Sequence, residues 1–125
     1  MTNALGSHVK FQVAEEHRER VQAFYTQVIG FTSVPSPVPN LSLWQTPQGA
    51  MLGVFFVPSA EALTEPQCLH GGTWLEIMTD DVEGLTARLR EFGVKEIDYF
   101  DKAHFYFHSP GGPVFRVASE AERGH

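Results

Sequence analysis

The clearest hydrophobic pattern in the chain lies between residues 16 and 30. Apolar residues recur there three and four positions apart, the spacing of one stripe on a helix: Val21, Phe24, Tyr25 and Val28. Gly30 follows this stripe, and glycine readily takes the left-handed conformation that ends many helices. The pattern therefore predicts an amphipathic helix over residues 16–30.

A second helical stripe covers residues 81–92, with three apolar positions facing inward: Val82, Leu85 and Leu89. Asp80 and Glu83 have the spacing of a capping box at its start. Gly93 follows its end, as Gly30 follows the first helix. We predict a second amphipathic helix here.

Segments that alternate polar and apolar residues precede both helices, which is typical of half-buried strands. They cover residues 8–13 and 73–78. Further strands are predicted at 41–46, 50–57, 96–100, 104–108 and 113–118, with a short one around residue 33. The sequence SPGGP between the last two long strands favours a hairpin turn, because Gly111 and Gly112 are free to adopt positive φ.

The elements repeat as two βαβββ modules, and each module is too small to be stable alone. We therefore predict a single α+β domain. Its first module covers about residues 6–58, a linker covers 59–71, and the second module covers about 72–119.

Composition excludes several classes of function. Nine Lys and Arg against fifteen Asp and Glu give 125 residues a net charge of -6, which argues against binding to nucleic acid or an anionic membrane. The same charge favours a neutral or cationic small-molecule ligand. A single cysteine, Cys68, excludes an internal disulfide and fits a cytoplasmic protein. We see no signal peptide and no long apolar run, so a cytoplasmic location is the expectation.

Two βαβββ modules resemble the vicinal-oxygen-chelate superfamily, which includes glyoxalase I, extradiol dioxygenases, fosfomycin-resistance enzymes and bleomycin-binding proteins. The resemblance lies in HVKFQVAEEHRERVQAFYTQVIGF, LEIMTDDVEGLTARLREFGV and HFYFHSPGGPVFRV. These segments are similar to the family patterns FY-x-x-x-x-G-F, D-D-V with a helix ending in G-V, and F-x-D-P-x-G-N. The resemblance implies a curved mixed sheet with a concave ligand cavity.

The resemblance also implies four positions where many family members hold a metal. They fall on His8, Gly53, Trp74 and Arg116. Only His8 is a suitable ligand, because a divalent site needs about three oxygen or nitrogen donors. We therefore expect no cofactor, with a relocated divalent metal site as the alternative.

Alternation along each strand, counted from these anchors, predicts the residues that face the cavity. The candidate ligand-binding residues are His8, Phe55, Trp74, Glu76, His104, Tyr106 and Arg116, with Trp44 able to close one side although its direction is undetermined. The sequence is equally compatible with purely structural roles for these residues. Trp74 could fill the space of a lost metal, Glu76 and Arg116 could form a structural ion pair, and the histidines could be exposed without a role.

Three functions are compatible with such a cavity. The first is metal-independent binding or sequestration of a small aromatic or cationic molecule by a homodimer, as the bleomycin-binding branch of the family implies. The second is a lyase, isomerase or dioxygenase, using either a metal held by His8, Glu76 and His104 or His108, or metal-free acid–base chemistry beside Arg116. The third is a module with a vestigial cavity that associates with a partner protein.

Overall fold

The computed structural model describes residues 2–122, which contain two mixed sheets of four strands each. The first sheet consists of β1 (His8–Ala14), β2 (Thr32–Val34), β3 (Leu41–Gln45) and β4 (Met51–Val57). Its strand order is β1-β4-β3-β2, with β1 parallel to β4 and the other pairs antiparallel. The short strand predicted around residue 33 is confirmed as β2.

The second sheet repeats this arrangement with β5 (Trp74–Thr79), β6 (Lys95–Ile97), β7 (Phe105–His108) and β8 (Val114–Ser119). Its order is β5-β8-β7-β6, again with one parallel pair, β5 and β8. The helices are α1 (Arg18–Ala23), α2 (Glu65–His70) in the linker, and α3 (Val82–Phe92). The predicted α+β fold of two βαβββ modules is confirmed.

The first helix is less regular than its sequence pattern predicts. A 3₁₀ turn (Glu15–His17) leads into α1, and a π-helical segment (Phe24–Val28) follows it. The wider turn is closed by a hydrogen bond from the Ile29 amide to the Phe24 carbonyl, 3.0 Å long. The segment buries Phe24 against Phe107 of the second sheet and Tyr25 against Trp44 of the first. Two adjacent aromatic residues thus contact two different sheets.

The second helix matches its predicted extent, with a different cap. The carboxylate of Asp81, rather than that of Asp80, accepts a hydrogen bond of 2.9 Å from the Gly84 amide. This is the usual contact of an N-cap side chain with the third helical residue. Gly93 ends the helix with φ +93°, as predicted.

The strand predicted over residues 96–100 is shorter than expected, since β6 ends at Ile97. Residues 98–104 form a loop that is fixed by its own acidic side chains. Asp98 pairs with Lys102, and the Asp101 carboxylate accepts a hydrogen bond of 2.9 Å from the Ala103 amide. Local side-chain bonds of this kind compete with sheet pairing and favour a turn.

The two sheets and their helices share one hydrophobic core. Ring centroids of Phe11 and Phe115 lie 6.4 Å apart across the modules, and those of Phe24 and Phe107 lie 6.0 Å apart. The β7–β8 turn packs so closely on β1 that a Cβ on Gly111 would lie 2.6 Å from the Cβ of Val13. Buried residues of both modules thus form one continuous cluster. Within residues 2–122, no helix has the length and apolar character needed to cross a membrane.

Candidate ligand site

Each sheet has one face on the shared core and a second face turned away from it, which we call its open face. Strand register brings Glu76, Arg116 and Tyr106 into one row across the second open face. Trp74 lies in the next row, opposite Val114. Their neighbours in the chain, such as Phe115, are buried in the core.

Arg116 is the centre of a polar network on the second open face. Its Nε donates a hydrogen bond to Glu76 Oε2 at 2.6 Å, so the ion pair that the sequence left open as a structural interpretation is present. Its Nη1 donates to Tyr106 Oη at 3.3 Å and to Asp101 Oδ2 at 3.4 Å. The guanidinium carbon lies 4.5 Å from the centre of the Trp74 ring, a cation–π distance. One cation therefore orients two carboxylates and one indole.

A hydrogen-bonded chain extends this network to the C-terminal turn. The Tyr106 hydroxyl donates to Asp101 Oδ2 at 3.0 Å, and His104 Nδ1 lies 2.7 Å from the same oxygen. The other ring nitrogen of His104 lies 2.6 Å from Glu122 Oε1. The Ser119 amide holds the second oxygen of Glu122 at 2.8 Å. The chain runs from a phenol that is 3% exposed to a carboxylate near the surface.

These contacts shift the protonation of the groups involved. The hydrogen bond to Glu122, together with that to Asp101, raises the pKa of His104 against the opposing effect of burial. The Ser119 amide and His104 lower the pKa of Glu122. Burial disfavours the charged form of Asp101, but hydrogen bonds from Ala103, His104 and Tyr106 outweigh it and lower the pKa of this carboxyl. The three carboxylates of the network outnumber its cations, Arg116 and a protonated His104.

Aromatic rings form a continuous run across the second open face. The rings of Tyr106 and Trp74 are perpendicular with a centroid distance of 5.9 Å, and Tyr99 lies against Tyr106 at 4.3 Å. Phe100 follows at 4.8 Å from Tyr99 and is 85% exposed. We call Trp74, Tyr106, Tyr99 and Phe100 the aromatic run.

A groove of about 380 Å³ reaches the network from the edge of the sheet. It lies between α3 and the loop of residues 98–104, and network residues Asp101, His104 and Tyr106 line it with Tyr99. Its volume is within the range of small-molecule sites. A cleft of about 410 Å³ between β1 and the linker is larger, but neither Trp74 nor Arg116 lines it.

The structure brings together five of the eight predicted site residues: Trp74, Glu76, His104, Tyr106 and Arg116. His8 and Phe55 lie on the open face of the first sheet, where His8 is exposed and Phe55 is half-buried.

The prediction that Trp44 closes the cavity is wrong. Register places Leu43 on the open face of β3 beside Gly53, so its neighbour Trp44 points into the core, where it is fully buried. Its indole N–H donates to Thr26 Oγ1 at 3.0 Å. Leucine and tryptophan are both apolar, so the β3 sequence did not reveal which face is buried.

Sequence patterns missed Asp101, Tyr99 and Glu122. Asp101 and Tyr99 belong to the loop after β6, and Glu122 belongs to the final 3₁₀ turn, so none follows the alternation of a strand. The one available signal was the group of acidic and aromatic residues in DYFD, residues 98–101.

The residues at the family's metal positions do not fit a divalent cation. The space that a Gly53 side chain would take is occupied, with Lys10 Cγ 3.0 Å and Leu43 Cδ2 3.1 Å from the Cβ position. Trp74 offers no donor and is covered by the guanidinium of Arg116, whose charge repels a metal.

The relocated metal site is not assembled either. Both ring nitrogens of His104 contact carboxylates, and His108 Nδ1 lies 2.7 Å from the Gly112 carbonyl. His8 lies on the other sheet. In the described part of the chain, no three His, Cys, Asp or Glu residues are arranged to hold an ion.

Comparisons with solved structures identify the fold. Lactoylglutathione lyase from Agrobacterium tumefaciens is 16% identical, with a TM-score of 0.68 over 100% of both chains. The trypanothione-dependent glyoxalase I from Leishmania major is 19% identical, with a TM-score of 0.66 over 95% of this chain and 88% of that one. The genomically encoded fosfomycin resistance protein from Listeria monocytogenes is 15% identical, with a TM-score of 0.66 over 95% and 94%. The chain has the glyoxalase fold.

The predicted resemblance to the vicinal-oxygen-chelate proteins is thus confirmed at the level of the fold. No protein-family profile matches the sequence, and no curated protein matches it either. Since one fold hosts many chemistries, function has to be argued from the site.

Proposed function

We propose that the protein binds a small, planar aromatic molecule with a positive charge at the second open face, without a metal. The observation that carries this proposal is the Arg116 network, which combines aromatic surface with an excess of carboxylates. Arg116 lies over the Trp74 ring, so the half-buried ring of Tyr99 is the one on which a ligand can stack, and the carboxylates of Glu76 and Asp101 favour a cation.

The charges of the whole chain support a cationic ligand. The net charge is -6, so the long-range field attracts cations and repels anions. The partly exposed Glu76 carboxylate gives this attraction a local anchor at the surface of the network. Small-molecule sites of this kind combine apolar walls with a few placed polar groups.

Isothermal titration calorimetry with proflavine, a planar aromatic cation, tests the proposal. We expect saturable binding of proflavine to the wild type and weaker binding of the anion 1-anilinonaphthalene-8-sulfonate. Glu76→Gln should bind proflavine about threefold to tenfold more weakly, because one charge-assisted contact is lost. Glu91→Gln is the matched control, since Glu91 is exposed on α3. Absence of proflavine binding, or a preference for the anion, would overturn the proposal.

Metal independence has a separate test. Elemental analysis of purified protein and thermal-shift assays with Zn²⁺, Ni²⁺, Mn²⁺ and Fe²⁺ are expected to show no stoichiometric metal and no stabilisation. A tightly bound metal present at 100 times its Kd would add about 2.7 kcal/mol to the free energy of unfolding. Stabilisation of that size, lost in His8→Ala, would contradict a metal-free site.

Metal-free acid–base catalysis is a second candidate. The chain from Tyr106 through Asp101 and His104 to Glu122 favours it, because a proton can move along linked hydrogen bonds towards solvent. A catalytic role predicts that Asp101→Asn loses turnover of a bound substrate completely, while proflavine binding weakens only about threefold to tenfold, as for Glu76→Gln. If compounds bind and none of them is turned over, catalysis is contradicted and only the binding proposal remains.

We also propose a homodimer, as the resemblance to the bleomycin-binding branch implies. Light scattering during size-exclusion chromatography tests it. Twice the chain mass of 14.0 kDa is expected, and a monomer at working concentration would contradict it.

A further inference from the structure

We infer that Tyr99 and Phe100 form the outer wall of the ligand site and select for ligands with an extended aromatic plane. This inference rests on the proposed function and goes beyond it by assigning a specificity role to a loop outside the predicted cavity. Phe100 gives the first argument. It is 85% exposed, whereas the other phenylalanines of the described chain are buried or half-buried.

Phe100 is not an isolated surface residue, because its ring contacts Tyr99 at a centroid distance of 4.8 Å. Tyr99 in turn stacks on Tyr106, with an interplanar angle of 32°. The aromatic run therefore crosses the second open face from β5 to the loop after β6 and ends at a ring in solvent. Scattered single apolar side chains are common on surfaces, but an exposed ring that continues an aromatic cluster is typical of a contact site.

The loop that carries these rings is held in place by the network itself. Asp101 accepts hydrogen bonds from its own loop, at Ala103, and from Tyr106 and Arg116 on the sheet. Phe100 precedes Asp101 directly, so the backbone that carries its ring is anchored, and the ring itself rests on Tyr99. A pre-positioned ring loses less freedom on binding and contributes more to affinity.

The charges around this wall match the ligand of the proposed function. Asp98 and Asp101 flank the two rings in sequence, and Lys102 on the same loop is paired with Asp98. Tyr99 also lines the groove of about 380 Å³ that leads to Asp101 and Tyr106. A ligand with its charge near Asp101 and its rings over Tyr99 and Phe100 would use both features.

Calorimetric titration of three Phe100 variants with proflavine tests the inference. Phe100→Ala is expected to weaken binding about threefold to tenfold, the loss of one aromatic stacking contact. Phe100→Leu should weaken it nearly as much, since it keeps apolar bulk without a ring, and Phe100→Trp should retain or strengthen it. Leu5→Ala is the matched control, because Leu5 is an exposed apolar residue that lies outside the aromatic run.

The outcomes separate this inference from the proposed function. Wild-type binding that Glu76→Gln weakens and Phe100→Ala leaves unchanged would overturn the inference and keep the function. No proflavine binding by the wild type would overturn both. A Phe100→Ala variant that binds normally but changes its mass in light scattering would show that Phe100 belongs to a protein interface instead. The ring is exposed, so equal melting temperatures are expected and would show that the variants fold.

Discussion

The two open faces carry different side chains on the same arrangement of strands. In the first sheet, one row across the strands holds Lys10, Gly53 and Leu43. In the second sheet, the equivalent row holds Glu76, Arg116 and Tyr106. Within residues 2–122, the side chain of Lys10 has no hydrogen bond or ion pair, and its amino group lies 5.9 Å from the centre of the Phe55 ring. Arg116 contacts three polar groups and an indole.

This difference shows which residues specify the fold and which are free to specify function. Both sheets keep apolar residues on the core face, such as Val54 and Phe115, and both keep the same strand order. The open faces are not needed for that packing. The second open face therefore carries a connected polar network, while the first carries separate polar side chains, such as His8 and Lys10, on the same strand order.

The largest expected effect on the free energy of unfolding comes from replacing Arg116, the central cation of the second open face. Lys10, on the equivalent row of the first open face, is the comparison. Arg116→Met leaves the carboxylates of Glu76 and Asp101 without their shared partner and uncovers Trp74. We expect the free energy of unfolding to fall by about 1–3 kcal/mol, less than for a fully buried pair because Arg116 is partly exposed. Lys10→Met should change it by less than about 0.5 kcal/mol. Urea denaturation at pH 7 measures the free energy of unfolding of both variants. Equal losses would show that Arg116 stabilises the protein no more than Lys10 does.

Removal of a single hydroxyl group tests how much the contacts of Tyr106 within the second open face add to stability. Tyr106→Phe removes the bonds to Asp101 and Arg116 and should cost about 1 kcal/mol. Tyr99→Phe is the matched control, since the Tyr99 hydroxyl has no hydrogen-bond partner within residues 2–122. It should be close to neutral in the same urea experiment. A neutral Tyr106→Phe would mean that the Asp101 contact adds nothing to stability.

The pH dependence of stability should also differ between the faces. The pKa of His104 is raised on folding, so its contribution is fully present below the ordinary value of 6.5 and is lost as pH rises through the folded value. The pKa values of Asp101 and Glu122 are lowered, so their contributions disappear as pH falls below about 4. The difference in melting temperature between wild type and His104→Gln should therefore peak at about pH 5–6.

Melting curves from pH 3.5 to 9 measure this difference. The control is His8→Gln, which removes an exposed histidine from the first open face. A difference for His104→Gln that grows above pH 8 would contradict the arrangement of His104 between two carboxylates.

The smallest expected effect concerns the glycine of the first face. Gly53→Ala places a methyl group 3.0 Å from Lys10 Cγ and 3.1 Å from Leu43 Cδ2. Both belong to side chains that can move, so the cost should be about 0.5–1 kcal/mol. Gly6→Ala is the control, because nothing lies within 4 Å of its Cβ position. A cost above about 2 kcal/mol would show that the first face is packed as rigidly as a core.

Sequence patterns predicted the second face better than the first. In the middle of β5 and β8, Glu76 and Arg116 each stand between apolar neighbours, so these two polar residues indicate which face of the strand is open. In β3, Leu41, Leu43 and Trp44 are all apolar, and the pattern does not separate the two faces. Burial of Trp44 depends on a partner from a distant helix, Tyr25, which no local pattern reveals.

The fold was predictable for a different reason than the site. Helix ends at Gly30 and Gly93 and the Gly111–Gly112 turn are local features, and all four glycines have positive φ as expected. The Arg116 network depends on Asp101 in a loop and Glu122 in the final turn, which are brought together only by tertiary packing. Contacts between such distant segments have no periodic signal.

The shared core has a consequence for a chain divided in the linker. A break between Leu63 and Thr64 would separate the modules without cutting a helix or strand. Each fragment would then expose the rings that normally meet across the modules, Phe24 and Tyr25 on one and Phe107 and Phe115 on the other. The separated fragments would be poorly soluble, and mixing them would bury these rings again, so recovery of the proposed proflavine binding would show that they had associated.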